Sequence, residues 1–140
     1  MEDVNIGIAM ALAEGIIAGV VHNANKKPLL AIAQEVRELD TKARDGKLSP
    51  EDVTGGSFTT TSLASYNIDA FTPIINPPEV AILGVGRIVE KPAVHKEEIA
   101  KRSMMYLSLT FDHRALDGAP AAQFLQTVKR YLEEPRWMTA

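Results

Sequence analysis

The chain opens with apolar residues alternating against small or polar ones. Val4, Ile6, Ile8 and Met10 in VNIGIAMA (4–11) show the two-residue period of a strand with one buried face. GIIAGVVH (15–22) is a second, β-branched run, and the intervening Glu14-Gly15 turn predicts a hairpin. The period then changes. Leu29, Leu30, Ile32, Ala33, Val36, Leu39 and Ala43 recur at helical spacing across 29–45, with Pro28 suited to the first turn and Gly46 to the stop. KLSPEDV (47–53) reads as a short capped turn with Ser49 as its cap.

Further along, GGSFTTTSLASY (55–66) predicts a hydroxyl-rich strand leaving a Gly-Gly turn. Residues 73–92 predict an Asn-Pro-Pro loop running into one long strand, which a turn near 94–101 returns to MMYLSLTF (104–111). A final helix is expected over 119–132, with Ala122, Leu125, Val128 and Leu132 on its apolar face and Phe124 at the edge. Several strands and two helices in this order predict a two-layer α/β sandwich. Its sheet is expected to be mixed and mostly antiparallel, with the helices on one face, rather than doubly wound and parallel.

Composition narrows the function classes. The 140 residues are 46% hydrophobic and 24% charged, enough apolar content for one core. A net charge of −3 with scattered basic residues predicts no nucleic-acid footprint and no basic membrane face. The apolar stretch 4–21 is broken by Asn5, Glu14 and several glycines, so no membrane span is expected. The absence of cysteine removes disulfides, thiolate metal sites and a cysteine nucleophile, and it fits a reducing compartment. No metal site is expected.

The candidate chemistry lies in LSLTFDHRALDGAPAAQFL (107–125), where an apolar run stops at Asp112, His113 and Arg114, with Asp117-Gly118 just beyond. A histidine at the end of a strand is held on rigid backbone. Imidazole ordinarily titrates near ~6.5, so taking a proton from a thiol of pKa about 8.5 is uphill by roughly 2 units, or ~3 kcal/mol. That is modest against an enzymatic barrier, so a lone histidine suffices to activate a thiol. On spacing alone His113 also reads as a strand-end histidine without chemistry. Asp117 reads as a helix N-cap, a partner of a cation or a group orienting the turn, with Gly118 permitting a tight bend. His22 reads as an edge-strand histidine, His95 as part of a charged turn and GVGRIVEK as no dinucleotide loop, for lack of a third glycine and a helix.

The full string MMYLSLTFDHRALDGAPAAQFL resembles the C-terminal motif of the dihydrolipoamide acyltransferases of 2-oxo acid dehydrogenase complexes. VNIGIA, GGSFTTTSLASYNIDAFTPIINPPEVAILGVGRI (55–88) and FLQTVKRYLEEP resemble that family in the same order. The resemblance implies a chloramphenicol acetyltransferase-like fold and acyl transfer between dihydrolipoamide and coenzyme A. It makes His113 the general base, Thr61 the hydroxyl that stabilises the oxyanion, and Asp117 a mostly structural carboxylate. It also implies a trimer or larger core with the site between subunits, lipoamide supplied by a separate lipoyl domain, and dehydrogenase components as partners. Its location would be bacterial or archaeal cytoplasm or, in a eukaryote, the mitochondrial matrix.

The same resemblance makes residues 1–140 the C-terminal part of a catalytic domain, with the N-terminal part and the lipoyl and subunit-binding domains absent. Three further departures stand out. Gly19 replaces an expected proline near the end of the second strand. HKEEIAKR lacks an Asn-Gly or Asp-Gly turn. RWMTA lacks a leucine-rich tail, for which Trp137 and Met138 are the candidate replacements. Two rival readings follow: a truncated, non-catalytic assembly module, and a small-molecule acetyltransferase of the chloramphenicol type.

Overall fold

A computed structural model describes residues 3–138 of the chain, with side chains to residue 136. Trp137 and Met138 as replacements for a leucine-rich tail therefore lie outside the described side chains. The first two strands, β1 (Ile6–Leu12) and β2 (Gly15–Val21), form the expected hairpin, and α1 (Leu29–Arg44) follows. Next come β3 (Phe58–Ser62), β4 (Ala81–Val85), the hairpin β5 (Val89–His95) and β6 (Glu98–Met104), β7 (Leu107–Phe111) and α2 (Gly118–Glu133).

The main sheet has the order β2-β1-β3-β4-β7. β1, β3 and β4 run parallel, while β2 and β7 are antiparallel to their neighbours, so the sheet is mixed. Residues opposite one another across the ladders share a face. Ile8, Thr60, Leu83 and Leu109 thus lie on one face, and Gly7, Thr59, Ile82 and Thr110 on the other. Leu39 and Ala43 of α1 pack on Met10 and Val21, and Phe124 of α2 meets Phe58 with ring centroids 5.5 Å apart. Met10, Val21 and Phe58 belong to the Ile8 face, so both helices cover the same side, as the pattern predicts. Gly19 sits beneath α1: a Cβ there would stand 2.7 Å from Met10 Cε and 3.3 Å from Leu39 Cβ. The missing proline of this strand is thus a point of close helix approach.

Two expected elements differ. The strand foreseen over 73–92 is broken after Val85, because the carbonyl of Asp69 crosses at Gly86, 1.8 Å from where a Cβ would stand. The Arg87 amide then bonds to the Ile68 carbonyl instead of a strand neighbour, and its guanidinium pairs with Asp69. The turn foreseen over 94–101 is mostly strand. β5 and β6 form a separate two-stranded sheet closed by Lys96 and Glu97. Both residues take left-handed φ, 51° and 67°, so the two-residue turn forms without the Asn or Gly that adopts this conformation most easily. The hydroxyl-rich strand is also shorter than 55–66, giving way to a 3-10 turn at Ala64–Tyr66.

Candidate active site

β7 ends where the Asp112 amide bonds to the Val80 carbonyl, 2.8 Å away. The Asp112 carboxylate then grips the Arg114 guanidinium, accepting from Nη2 at 2.6 Å and from Nε at 3.0 and 3.2 Å, and also accepts the Arg114 amide at 2.9 Å. This guanidinium and amide hold the Asp112 carboxyl well below its ordinary value, at about 2. The amides of Ala115 and Leu116 both reach back to the Asp112 carbonyl. His113 is therefore carried on a turn closed on both sides. Its ring leans on Phe111, with centroids 5.5 Å apart.

His113 Nδ1 faces Asp117 Oδ1 at 3.5 Å. That is too long for a strong hydrogen bond, so the two side chains face one another without a close contact. Nε2 has no hydrogen bond among the described residues, and the side chain is 72% exposed. Asp117 does occupy the N-cap position of α2, but its carboxylate caps no amide. Of the readings open for this carboxylate, the side-chain cap is not made, and the side chain turns to His113 instead. The expected role of Gly118 is corrected, because a Cβ there would touch nothing and its φ is not left-handed.

Thr61 lies elsewhere. It shares the helix-free face with Thr59 and stands opposite Gly84, which stands opposite Ser108. Three neighbouring hydroxyls are distinguished by their partners. Thr59, buried, donates to Glu79 Oε1 at 2.9 Å, and Ser62 donates to the Val85 carbonyl at 2.9 Å. The Thr61 hydroxyl has no hydrogen bond among the described residues. Beside it, the place a Gly84 Cβ would take is filled by Phe71 Cζ at 3.1 Å and Pro73 Cδ at 3.2 Å. The segment 67–79 thus lies over the hydroxyl face and forms a wall next to Thr61.

The structure brings His113 to Asp117 but not to Thr61. Ser108, level with Thr61, and Phe111 are three residues apart on β7. That is roughly 10 Å along the strand, and two strand spacings of ~4.8 Å add to it before the chain runs on to His113. To act in the roles expected of them, the two side chains would each have to come within ~3 Å of one reacting group. Within one protomer these two side chains cannot do so.

The Asp112–Arg114 clasp and the Glu79–Thr59 bond were not foreseen from sequence. The first had a signal, an acid and a base flanking the histidine. The second had none, since its partners are 20 residues apart. Among the described residues no group of three or more His, Cys, Asp or Glu stands ready to hold a metal, and no helix is long and apolar enough to cross a membrane.

Residues 1–140 match the family model of the 2-oxoacid dehydrogenases acyltransferase catalytic domain. The dihydrolipoyllysine-residue acetyltransferase component of the acetoin cleaving system of Bacillus subtilis is 46% identical over 132 residues. The match takes in 94% of this chain and 33% of that protein, so the chain spans about a third of this relative's length. The dihydrolipoamide acetyltransferase of Azotobacter vinelandii, studied for the roles of a serine, a histidine and an asparagine in its mechanism, superposes with a TM-score of 0.94 at 38% identity. That superposition covers 100% of this chain and 58% of the solved one. The cubic core of a pyruvate dehydrogenase multienzyme complex matches with the same TM-score, identity and coverage.

Proposed function

The chain belongs to the family of 2-oxoacid dehydrogenase acyltransferase catalytic domains, and from that membership we propose that it carries acyl transfer between dihydrolipoamide and coenzyme A. Nε2 of His113 takes the proton from the attacking thiol. The sulfur adds to the thioester carbonyl, and the resulting oxyanion accepts a hydrogen bond from the Thr61 hydroxyl. The intermediate collapses, the C–S bond to the first carrier breaks, and the departing thiolate recovers the proton from the imidazolium. No metal or redox change is involved in this step. Asp117 steadies the imidazolium while it is charged, and the Asp112–Arg114 clasp holds the turn that aims it.

The observation that carries this reading is the separation of His113 from a Thr61 hydroxyl that has no hydrogen bond among the described residues. The site is then composite, with His113 from one protomer and Thr61 from another. Assembly into a trimer or larger core follows as a requirement of the chemistry. The relative solved as a cubic core supports it. The lipoyl group arrives on a separate domain, and residues 1–140 act as the C-terminal part of the catalytic domain. The rival reading as a non-catalytic assembly module leaves the unpartnered hydroxyl and the clasped histidine without a use.

The test is transfer from acetyl-dihydrolipoamide to coenzyme A. His113→Ala is expected to lose at least ~10² in rate, and Thr61→Val roughly 10²–10³ in kcat with little change in thiol binding. Co-assembly of the two variants should restore part of the activity, because some sites then pair an intact histidine with an intact threonine. Unchanged turnover in His113→Ala would remove it from the mechanism. Failure of co-assembled variants to recover any activity would refute the shared site.

A further inference from the structure

The buried Thr59–Glu79 bond has no part in the chemistry proposed above, and it is costly. Thr59 is 1% exposed, and its hydroxyl donates to Glu79 Oε1 at 2.9 Å. The other carboxyl oxygen, Oε2, is buried and has no hydrogen bond among the described residues. A buried acceptor left unpaired destabilises a fold, whereas an apolar pair of similar shape in the same place would be close to neutral. Stability alone therefore does not explain the pair. Two glycines make room for it. A Cβ on Gly7, which stands opposite Thr59 on β1, would lie 2.5 Å from Thr59 Oγ1, and one on Gly56 would lie 2.8 Å from Glu79 Oε1. Both ends of the bond thus sit where the backbone has been cleared for them.

The bond joins the hydroxyl face to the wall beside it. The segment between Ser62 and Ala81 leaves β3, lies over the helix-free face and returns as β4. Near its start the Arg87 guanidinium pairs with Asp69. In its middle Phe71 and Pro73 sit against Gly84, next to Thr61. Ile74 is 88% exposed, so apolar burial does not hold the run just beyond Pro73. The return is held by Glu79, whose amide bonds to the Asn76 carbonyl at 3.1 Å and whose side chain reaches Thr59. Thr59 and Thr61 share one face, two residues or ~7 Å apart along the strand. With no hydrogen bond for the Thr61 hydroxyl among the described residues, packing against this wall decides which staggered rotamer it takes.

We propose that Glu79 is a positioning residue: through Thr59 it pins the 67–79 wall to β3 and so holds the Thr61 hydroxyl in one orientation. The catalytic consequence rests on the oxyanion role proposed for Thr61, whereas the orientation itself does not. Glu79 touches no reacting atom. It acts by placing a donor, and a misplacement of ~1 Å is enough to cost ~10² in rate.

The experiment reads the χ1 angle of Thr61 from three-bond couplings of its methyl carbon to the backbone nitrogen and carbonyl carbon, in the 140-residue chain and in variants of it. Glu79→Gln keeps an acceptor for Thr59, and Glu79→Ala removes it. Thr59→Val removes the donor at nearly constant volume, which keeps the test decisive should Glu79→Ala not fold. The unaltered chain and Glu79→Gln should show one staggered rotamer, and Glu79→Ala and Thr59→Val averaged couplings. In transfer from acetyl-dihydrolipoamide to coenzyme A, Glu79→Ala should lower kcat at least ~tenfold with KM changed less than ~twofold. Glu79→Gln should keep kcat, and Glu79→Ala should cost nothing further when added to Thr61→Val. Averaged couplings in the unaltered chain or in Glu79→Gln would overturn the proposal. So would a single rotamer kept in Thr59→Val or in a folded Glu79→Ala, or, with Thr61→Val slow, an unchanged kcat in Glu79→Ala. A Thr61 whose rotamer answers to Glu79 as expected, while Thr61→Val keeps full turnover, would remove Thr61 from the mechanism and leave the positioning by Glu79 standing.

Discussion

Packing changes character along the sheet from β2 to β7. Under α1, Met10, Val21, Leu39 and Ala43 form a closed cluster, with Ile8, Leu12, Ile17, Ile32, Val36 and Leu48 around it. Under α2, Ala121 is the buried helix residue, while Phe124, Tyr131 and Leu132 remain 42–43% exposed. The two helices are equally long, 16 residues each, and both are amphipathic. Length and patterning therefore do not account for the difference. What differs is the surface each helix meets. α1 lies over two paired strands backed by the Glu51–Val53 turn, whereas α2 sits at the last strand of the sheet, beyond which no further strand is paired among the described residues. The residues proposed for chemistry follow the same division: His113 hangs at the end of the edge strand, and Thr61 stands on the helix-free face further in.

The comparison is broken or sharpened most strongly by Leu39→Ala. In the closed half it should cost about 2–5 kcal/mol by chemical denaturation, the range for a large core truncation that leaves a cavity. Leu132→Ala, on the open half, should cost under about 0.5 kcal/mol in the chain alone. Equal losses at the two sites would mean that α2 is as well packed as α1 and would dissolve the distinction. The smallest effect concerns pH. The Asp112 carboxyl is held at about 2 against an ordinary 3.8. Its folded value is depressed, so the pair with Arg114 contributes stability that is fully present above the ordinary value. That contribution is lost as pH falls from about 4 towards 2. Because both partners are solvent-accessible, the effect is small. Acid titration of Asp112→Asn should lack this part of the transition; identical acid profiles would show that the clasp contributes nothing measurable.

The fold was legible where a single face decides the pattern. The β1–β2 hairpin and α1 appear nearly at their expected bounds, because one side of each is buried and the apolar period records it. The 73–92 strand misled because Val80, Ile82, Val85 and Ile88 look continuous. The interruption at Gly86 comes from Asp69, 17 positions earlier in the chain. Likewise, the sequence puts Asp117 at a helix start but does not say whether its carboxylate turns to the helix amides or to His113.

By itself, then, the sequence determined the alternation, the two helical stripes, the clustering of Asp112, His113 and Arg114 at a strand end, and the run of hydroxyls at 59–62. These are local properties, carried by side-chain period and by neighbours a few residues apart. Only the tertiary structure decided which hydroxyl is left without a hydrogen bond among the described residues, which strands lie at the edges of the sheet, and that His113 and Thr61 lie far apart in one copy of the chain. Those facts depend on strand order and register, which are set by contacts between segments far apart in the chain and leave no periodic trace along it.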